Sequence, residues 1–247
     1  MAQEDQPNLE EQIISAAVGM GLSSQIDSAE NLDVDVRSNL LEIMQGQAHS
    51  VSVSGQGLVM QKDIRVQEME IHTDRIAINP LSVLFGELEL SEPTDASARV
   101  VLSEADLNRA LNSDYVRRQM QPFKLDLDGQ IVSLEMQKMS IQLPDVNTIV
   151  FNGSTKLQEG ENRRSLNFQA VIHPGTIFEP LFIEAFQCSP APGISLQFAV
   201  ALMQKFKELI FSPNFAMNGT AVRVQKLELQ KGRLTIHTTA KITEIPS

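Results

Sequence analysis

At 247 residues with 42% apolar composition, the chain can bury a substantial core, yet no apolar run reaches the roughly 18 to 20 residues of a transmembrane helix. A net charge of −11, the absence of Trp and the scarcity of basic groupings beyond Arg117-Arg118, Arg163-Arg164 and Lys205 with Lys207 disfavour nucleic acid as a partner. The single cysteine, Cys188, excludes an internal disulfide or a CxxC metal or redox site and is expected to be a buried structural thiol.

Acidic residues at Glu4 and Asp5 stand where a secretory signal would be basic, and the first cation is Arg37. The expectation is an unprocessed, cytoplasmic protein. Leu9, Ile13, Ala16, Ala17 and Met20 share one helical face, with Gly19 and Gly21 at its end, so residues 1–28 are expected to carry an N-terminal amphipathic helix. Residues 29–247 are expected to form one domain.

Strand alternation follows in Leu32-Val34-Val36, Val51-Val53, Ile76-Ile78 and Leu88-Leu90, with Gly55-Gln56-Gly57 as a turn or bulge. A short helical turn is expected from Pro80 to Phe85. Ser103, followed three residues on by Asp106, forms an N-cap that opens a helix running through Leu107 and Leu111 to about Met120. Leu125-Leu127 and Leu234-Ile236 are further strands, and a last helix from about Ser195 to before Pro213 aligns Phe198, Leu202, Phe206 and Leu209. Asn152-Gly153 and Asn218-Gly219 are expected turns, since Asn-Gly readily adopts positive φ. Strands in series with few helices between them point to an α+β fold with antiparallel pairing.

One segment recurs. Arg65, Val66, Gln67, Glu70, Arg75 and Ile78 reappear in register as Arg223, Val224, Gln225, Glu228, Arg233 and Ile236, and a shorter copy covers Met136 to Ile141. In each copy the apolar rhythm breaks once: Val66 then Met69, Met136 then Met139, Val224 then Leu227. Side chains alternate strictly along a strand, so one extra residue must restore the apolar face. Bulges are therefore expected at Gln67-Glu68, Gln137-Lys138 and Gln225-Lys226, and a sheet bulged three times is curved.

Three stretches resemble the LmeA-type phospholipid-binding family. They are Val51 to Val59, Ile76 to Gly86 and, most distinctively, Val101-Leu102-Ser103-Glu104-Ala105-Asp106-Leu107-Asn108-Arg109-Ala110-Leu111-Asn112. The resemblance implies a tubular lipid-binding-like architecture: a long, strongly curved antiparallel sheet wrapped around one or more amphipathic helices, with an apolar groove for acyl chains. It implies phospholipid or another acyl lipid as the partner and brings no catalytic motif.

The residues themselves nominate no catalytic site, metal site or cofactor. His49, His72, His173 and His237 are too scattered for a ligand motif, and the pairs Asp33/Asp35 and Asp126/Asp128 suit a solvated strand face. Ser54 and Ser103 lack a nucleophile elbow. The expectation is a non-enzymatic lipid binder, with peripheral membrane contact made through apolar surface and not through charge. Its acyl contacts are expected at Leu107, Leu111, Phe198, Leu202, Phe206, Val66, Met69, Val224 and Leu227. The alternative is a fully packed protein–protein interaction scaffold.

Overall fold

The structure, a computed structural model, describes residues 26–38, 47–60, 64–77, 90–119, 122–127, 130–159, 162–175, 181–189, 196–210, 214–217 and 220–243. The N-terminal helix, the turn at Pro80 to Phe85 and most of the Leu88–Leu90 strand lie outside these residues. The chain runs through β1 (Ile26–Ser28), β2 (Asn31–Arg37), β3 (Gln47–Ala48), β4 (Ser50–Met60), β5 (Ile64–Thr73), β6 (Ile76–Ala77) and β7 (Thr94–Ser103). Helices α1 (Glu104–Leu111) and α2 (Asp114–Gln119) follow, then β8 (Phe123–Leu127), β9 (Gln130–Gln142), β10 (Ile149–Glu159), β11 (Asn162–Pro174) and β12 (Leu181–Ser189). Helix α3 (Leu196–Ile210) precedes β13 (Asn214–Met217), β14 (Thr220–Gln230) and β15 (Arg233–Ile242). Since Ile26–Ser28 already pairs with β4, the sheet begins inside the segment assigned to the N-terminal helix.

Every strand pairing among the described residues is antiparallel. An eight-stranded sheet has the order β1-β4-β5-β7-β15-β14-β13, with β2 also on β4; a five-stranded sheet has the order β12-β11-β10-β9-β8; β3 and β6 form a small ribbon. The antiparallel sheet includes a curled half-barrel.

Two of the three expected bulges are register shifts. On β9, Lys138 faces Ser154 and Met136 faces Thr155, so Gln137 is the extra residue. On β14, Val224 faces Thr238 and Lys226 faces His237, leaving Gln225 unpaired in register. At Gln67-Glu68 the expectation fails in its simple form. Pairing runs from Gln56↔Glu68 to Leu58↔Val66 with no shift. Gly57, at φ +58°, interrupts β4 opposite Gln67. Both strands therefore change phase together: Val53 and Leu58 on one, and Met69 and Val66 on the other, are all buried.

The expected helix from Ser103 to Met120 is two helices. The cap is as anticipated, with Ser103 Oγ accepting from Asp106 N at 3.0 Å and the Asp106 carboxylate accepting from Ser103 N at 3.3 Å. The break comes at Ser113. Its hydroxyl donates to Ala110 O (2.8 Å) and accepts from Val116 N (3.3 Å), closing α1 and opening α2, because a short polar side chain competes with the helical backbone bonds. Asn152-Gly153 is not a turn but mid-β10; a Cβ on Gly153 would lie 2.3 Å from the Phe168 ring, so the glycine admits that ring. Asn218-Gly219 lies outside the described residues, between the paired Met217 and Thr220.

The main core lies on the inner face of the smaller sheet. Leu134, Met139, Phe151, Leu157, Leu166, Phe168 and Ile172 pack with Phe198, Leu202 and Phe206 of α3 and with Leu229 and Leu234 from the β14–β15 hairpin. Helix α3 touches both edge strands, β8 and β12. Its length of about 22 Å suffices to cross five strands set about 4.8 Å apart. The Phe206 ring centre lies 4.8, 5.7 and 6.2 Å from those of Phe151, Phe168 and Phe186, on three successive strands.

Candidate functional site

Residues paired across antiparallel strands share a face, so the registers define the two sides of the larger sheet. One side carries Val34 and Val36 (β2), Val51 and Val53 (β4), Met69 and Ile71 (β5), Ala96, Ala98 and Val100 (β7), Leu234, Ile236 and Ala240 (β15), and Val222, Val224, Leu227 and Leu229 (β14). Across these six strands it is apolar apart from Thr73, Thr94 and Thr238. Its margins pack into buried clusters around Val36/Val51/Val53, Leu58/Val66/Met69 and Leu229/Leu234. Its middle does not: Ala98, Thr238, Ala240, Val222 and Val224 are half-buried and belong to none of those clusters.

The nine residues nominated from sequence fall in three places. Phe198 (4% exposed), Leu202 (1%) and Phe206 (7%) are packed core, and Leu107, Leu111 and Leu227 are partly buried against the same cluster. Val66 and Met69 belong to the separate cluster around Leu58, while Val224 sits in the half-buried middle of the apolar face. Cys188 is half-buried, not enclosed, and desolvation raises its thiol pKa.

The opposite, polar side of the larger sheet holds two cavities of about 530 and 460 Å³ that share His72, Ser97 and Thr239. Here the fold assembles a row that sequence spacing hides: Ser52 Oγ lies 3.0 Å from His72 Nδ1, and His72 Nε2 lies 3.2 Å from Asp74 Oδ1. The connectivity is that of a nucleophile, a base and an acid, but the setting is wrong for catalysis. The Asp74 side chain is 98% exposed. β4 is paired on both sides, so the N–H groups around Ser52 serve the ladder and cannot form an oxyanion hole. Among the described residues no group of three or more His, Cys, Asp or Glu could hold a metal ion. His173 is bound on both nitrogens, 2.6 Å from Glu184 Oε2 and 2.6 Å from Asn147 O; the Glu184 bond first, then the carbonyl, raises its pKa.

The Ser103–Asn112 motif has a structural role that the sequence does not announce. Beyond Leu134, β9 has no strand partner on its β8 side among the described residues. Instead, Leu143 N donates to Glu104 Oε2 (2.7 Å), Ile141 N to Asn108 Oδ1 (2.8 Å), Asn108 Nδ2 to Ile141 O (2.8 Å) and Asn112 Nδ2 to Met139 O (2.9 Å). Four helical residues rise about 6 Å and two strand residues about 6.7 Å, so an i, i+4, i+8 stripe matches alternate strand positions. Helix α1 thus caps a sheet edge through its side chains. It also joins the two sheets: Gly232, in the β14–β15 turn at φ +72°, accepts from Glu104 N (2.9 Å) and donates to Leu143 O (2.8 Å). The detectable signal is Glu104, Asn108 and Asn112 at four-residue spacing.

The model of one family, described as LmeA-like phospholipid-binding, matches residues 7–239. Among curated proteins and among solved structures none matches the chain.

Proposed function

The chain belongs to that family, and from this premise we propose that it holds phospholipid with the acyl chains laid against the apolar face of the larger sheet. The observation that carries this is the half-buried apolar middle of that face, from Ala98 to Val224. Six strands span about 24 Å, while an acyl chain in one leaflet spans about 15 Å, half the hydrocarbon thickness of a bilayer. Two chains with roughly 30 methylenes would lose on the order of 24 kcal/mol in water, and only a continuous apolar wall can offset that. Val224 lies in this wall, Leu227 and Met69 flank it at the packed margins, and Leu107 and Leu111 stand at its α1 end. Phe198, Leu202, Phe206 and Val66 are the packed support that fixes the helix and sheet. The curled sheets close around α3 and the lipid together, and no catalytic step is involved.

Loading requires contact with a membrane. Among the described residues no helix is long and apolar enough to cross one. Phe182 (58% exposed) lies opposite His173 in register, and His173 bonds to Asn147, the neighbour of Val146 (63% exposed). These two apolar side chains give a contact that does not depend on charge and that salt would not weaken.

Val224→Asp tests the wall. The position is half-buried, so the carboxylate keeps water in the free protein and loses it when a chain docks. That desolvation costs about 3 kcal/mol, or about a hundredfold in affinity. Binding of a fluorescent phospholipid should fall by that order while thermal unfolding shifts little. A wild type that binds no phospholipid, or a variant that binds it equally well, leaves the interaction-scaffold alternative.

A further inference from the structure

A cavity of about 690 Å³ opens on the polar face of the smaller sheet, on the other side from the core and away from the apolar wall. Its lining includes six carboxamides, three serine hydroxyls, Arg117 and Lys138, and no carboxylate. In a chain of net charge −11, fourteen lining residues with two cations and no acid make a local reversal of sign.

The β9 bulge builds this composition. Met136 and Met139 both pack on the core, so Gln137 and Lys138 between them both turn to the polar face. Arg117 is brought over the same strand from α2, its guanidinium donating to Gln137 O at 3.4 Å. Among the described residues neither cation has an acidic partner within ion-pair reach. Across the next two strands Gln169 Nε2 donates to Asn152 Oδ1 at 2.9 Å, which fixes the pair and leaves the Asn152 amino group and the Gln169 carbonyl turned outward. Gln187 extends the array onto β12. Fixed amides present donors and acceptors together, as hydroxyl groups require, and two cations add a site for a phosphate. The only aromatic residue in the lining is Phe168, whose ring packs in the core against Phe151 and Phe206. A neutral sugar or a nucleobase would therefore find no stacking surface.

We propose that this cavity, centred on Gln137, Lys138 and Arg117, binds a phosphate ester carried on a polyhydroxylated group. Such a group comes either as a soluble polyol phosphate or as a lipid headgroup at a membrane surface. The inference does not rest on the acyl wall, which lies on the other sheet.

Titration calorimetry of the full chain with sn-glycerol 3-phosphate, inorganic phosphate and glycerol tests the chemistry. Flotation with phosphatidylglycerol or phosphatidylcholine vesicles tests the source. Glycerol 3-phosphate should bind more tightly than inorganic phosphate, and glycerol should not bind. Lys138→Gln should weaken binding about tenfold or more, because a charge-assisted contact is lost. Arg117→Gln should act likewise, with thermal unfolding followed to separate any loss of the α2 contact. Capture by phosphatidylglycerol vesicles alone, abolished by Lys138→Gln, would assign the headgroup as the source. Failure of every anionic probe to bind, or binding unaffected by Lys138→Gln, overturns the proposal, whatever Val224→Asp does to acyl binding.

Discussion

Asn108→Ala isolates the edge cap. The wild-type carboxamide satisfies both backbone groups of Ile141, at 2.8 Å each, and donates a further 2.8 Å bond to Glu104 O. Truncation leaves the Ile141 N–H and C=O without a partner at a half-buried strand edge, where each such group costs about 1 to 3 kcal/mol. Partial access of water places both losses near the lower end, about 3 kcal/mol together. Ala is the better helix former by about 0.6 kcal/mol, which leaves a net destabilisation of about 2 to 3 kcal/mol. In a chain of this length that corresponds to a fall in Tm of about 4 to 12 °C. Thermal unfolding and hydrogen exchange at the Ile141 amide are the assays, with Asn112→Ala, which loses its single bond to β9, as the milder comparison. A change below about 0.5 kcal/mol, or an Ile141 amide that stays protected in the variant, would refute the edge-capping argument.

Gly153→Ala should destabilise even though the strand conformation suits alanine, because the new Cβ would fall 2.3 Å from the Phe168 ring; restored stability in Gly153→Ala with Phe168→Leu would locate the clash, and a neutral single variant would contradict it. Phe206→Asp should cost roughly 3 to 5 kcal/mol or more in a urea titration, since the ring is 7% exposed among three other phenylalanines; near-wild-type stability would mean that Phe206 lines open space instead. His173 ties pH to stability. Its folded pKa lies above the ordinary 6.5, so the stabilisation is complete below about 6.5 and is lost as pH rises through the raised value. Tm should decline across that interval, and Glu184→Gln should flatten the decline; an unchanged profile in the variant would remove Glu184 as the cause.

The sequence exposed those parts of the fold where periodicity and side-chain size agree. The α3 stripe and the bulges at Gln137 and Gln225 follow from where apolar residues recur, and the Ser103 cap from Asp106 three residues on. The phase change at Gln67 was equally visible, but its compensation by Gly57 depends on which strand lies opposite, and one strand's pattern does not contain that. β7 and β10 gave weak alternation because their inward positions include Ala96, Ala98, Gly153 and Thr155, small or polar residues chosen by close packing. Asn152-Gly153 has the composition of a turn, and only the Phe168 ring explains its place in mid-strand. The candidate site divides the same way. Val224, Leu227 and Met69 were legible as apolar strand positions, whereas the sign-reversed cavity gathers residues from four strands and α2 and has no local signature.

The central claim is that acyl chains lie on the apolar face of the larger sheet, and photo-cross-linking with a phospholipid carrying an acyl-chain diazirine tests it most directly. Peptide mapping should find adducts on β7, β14 and β15, around Ala98, Val224, Leu227 and Ala240, with competition by unlabelled phospholipid. Adducts confined to the polar faces, or labelling that unlabelled phospholipid does not suppress, would contradict it.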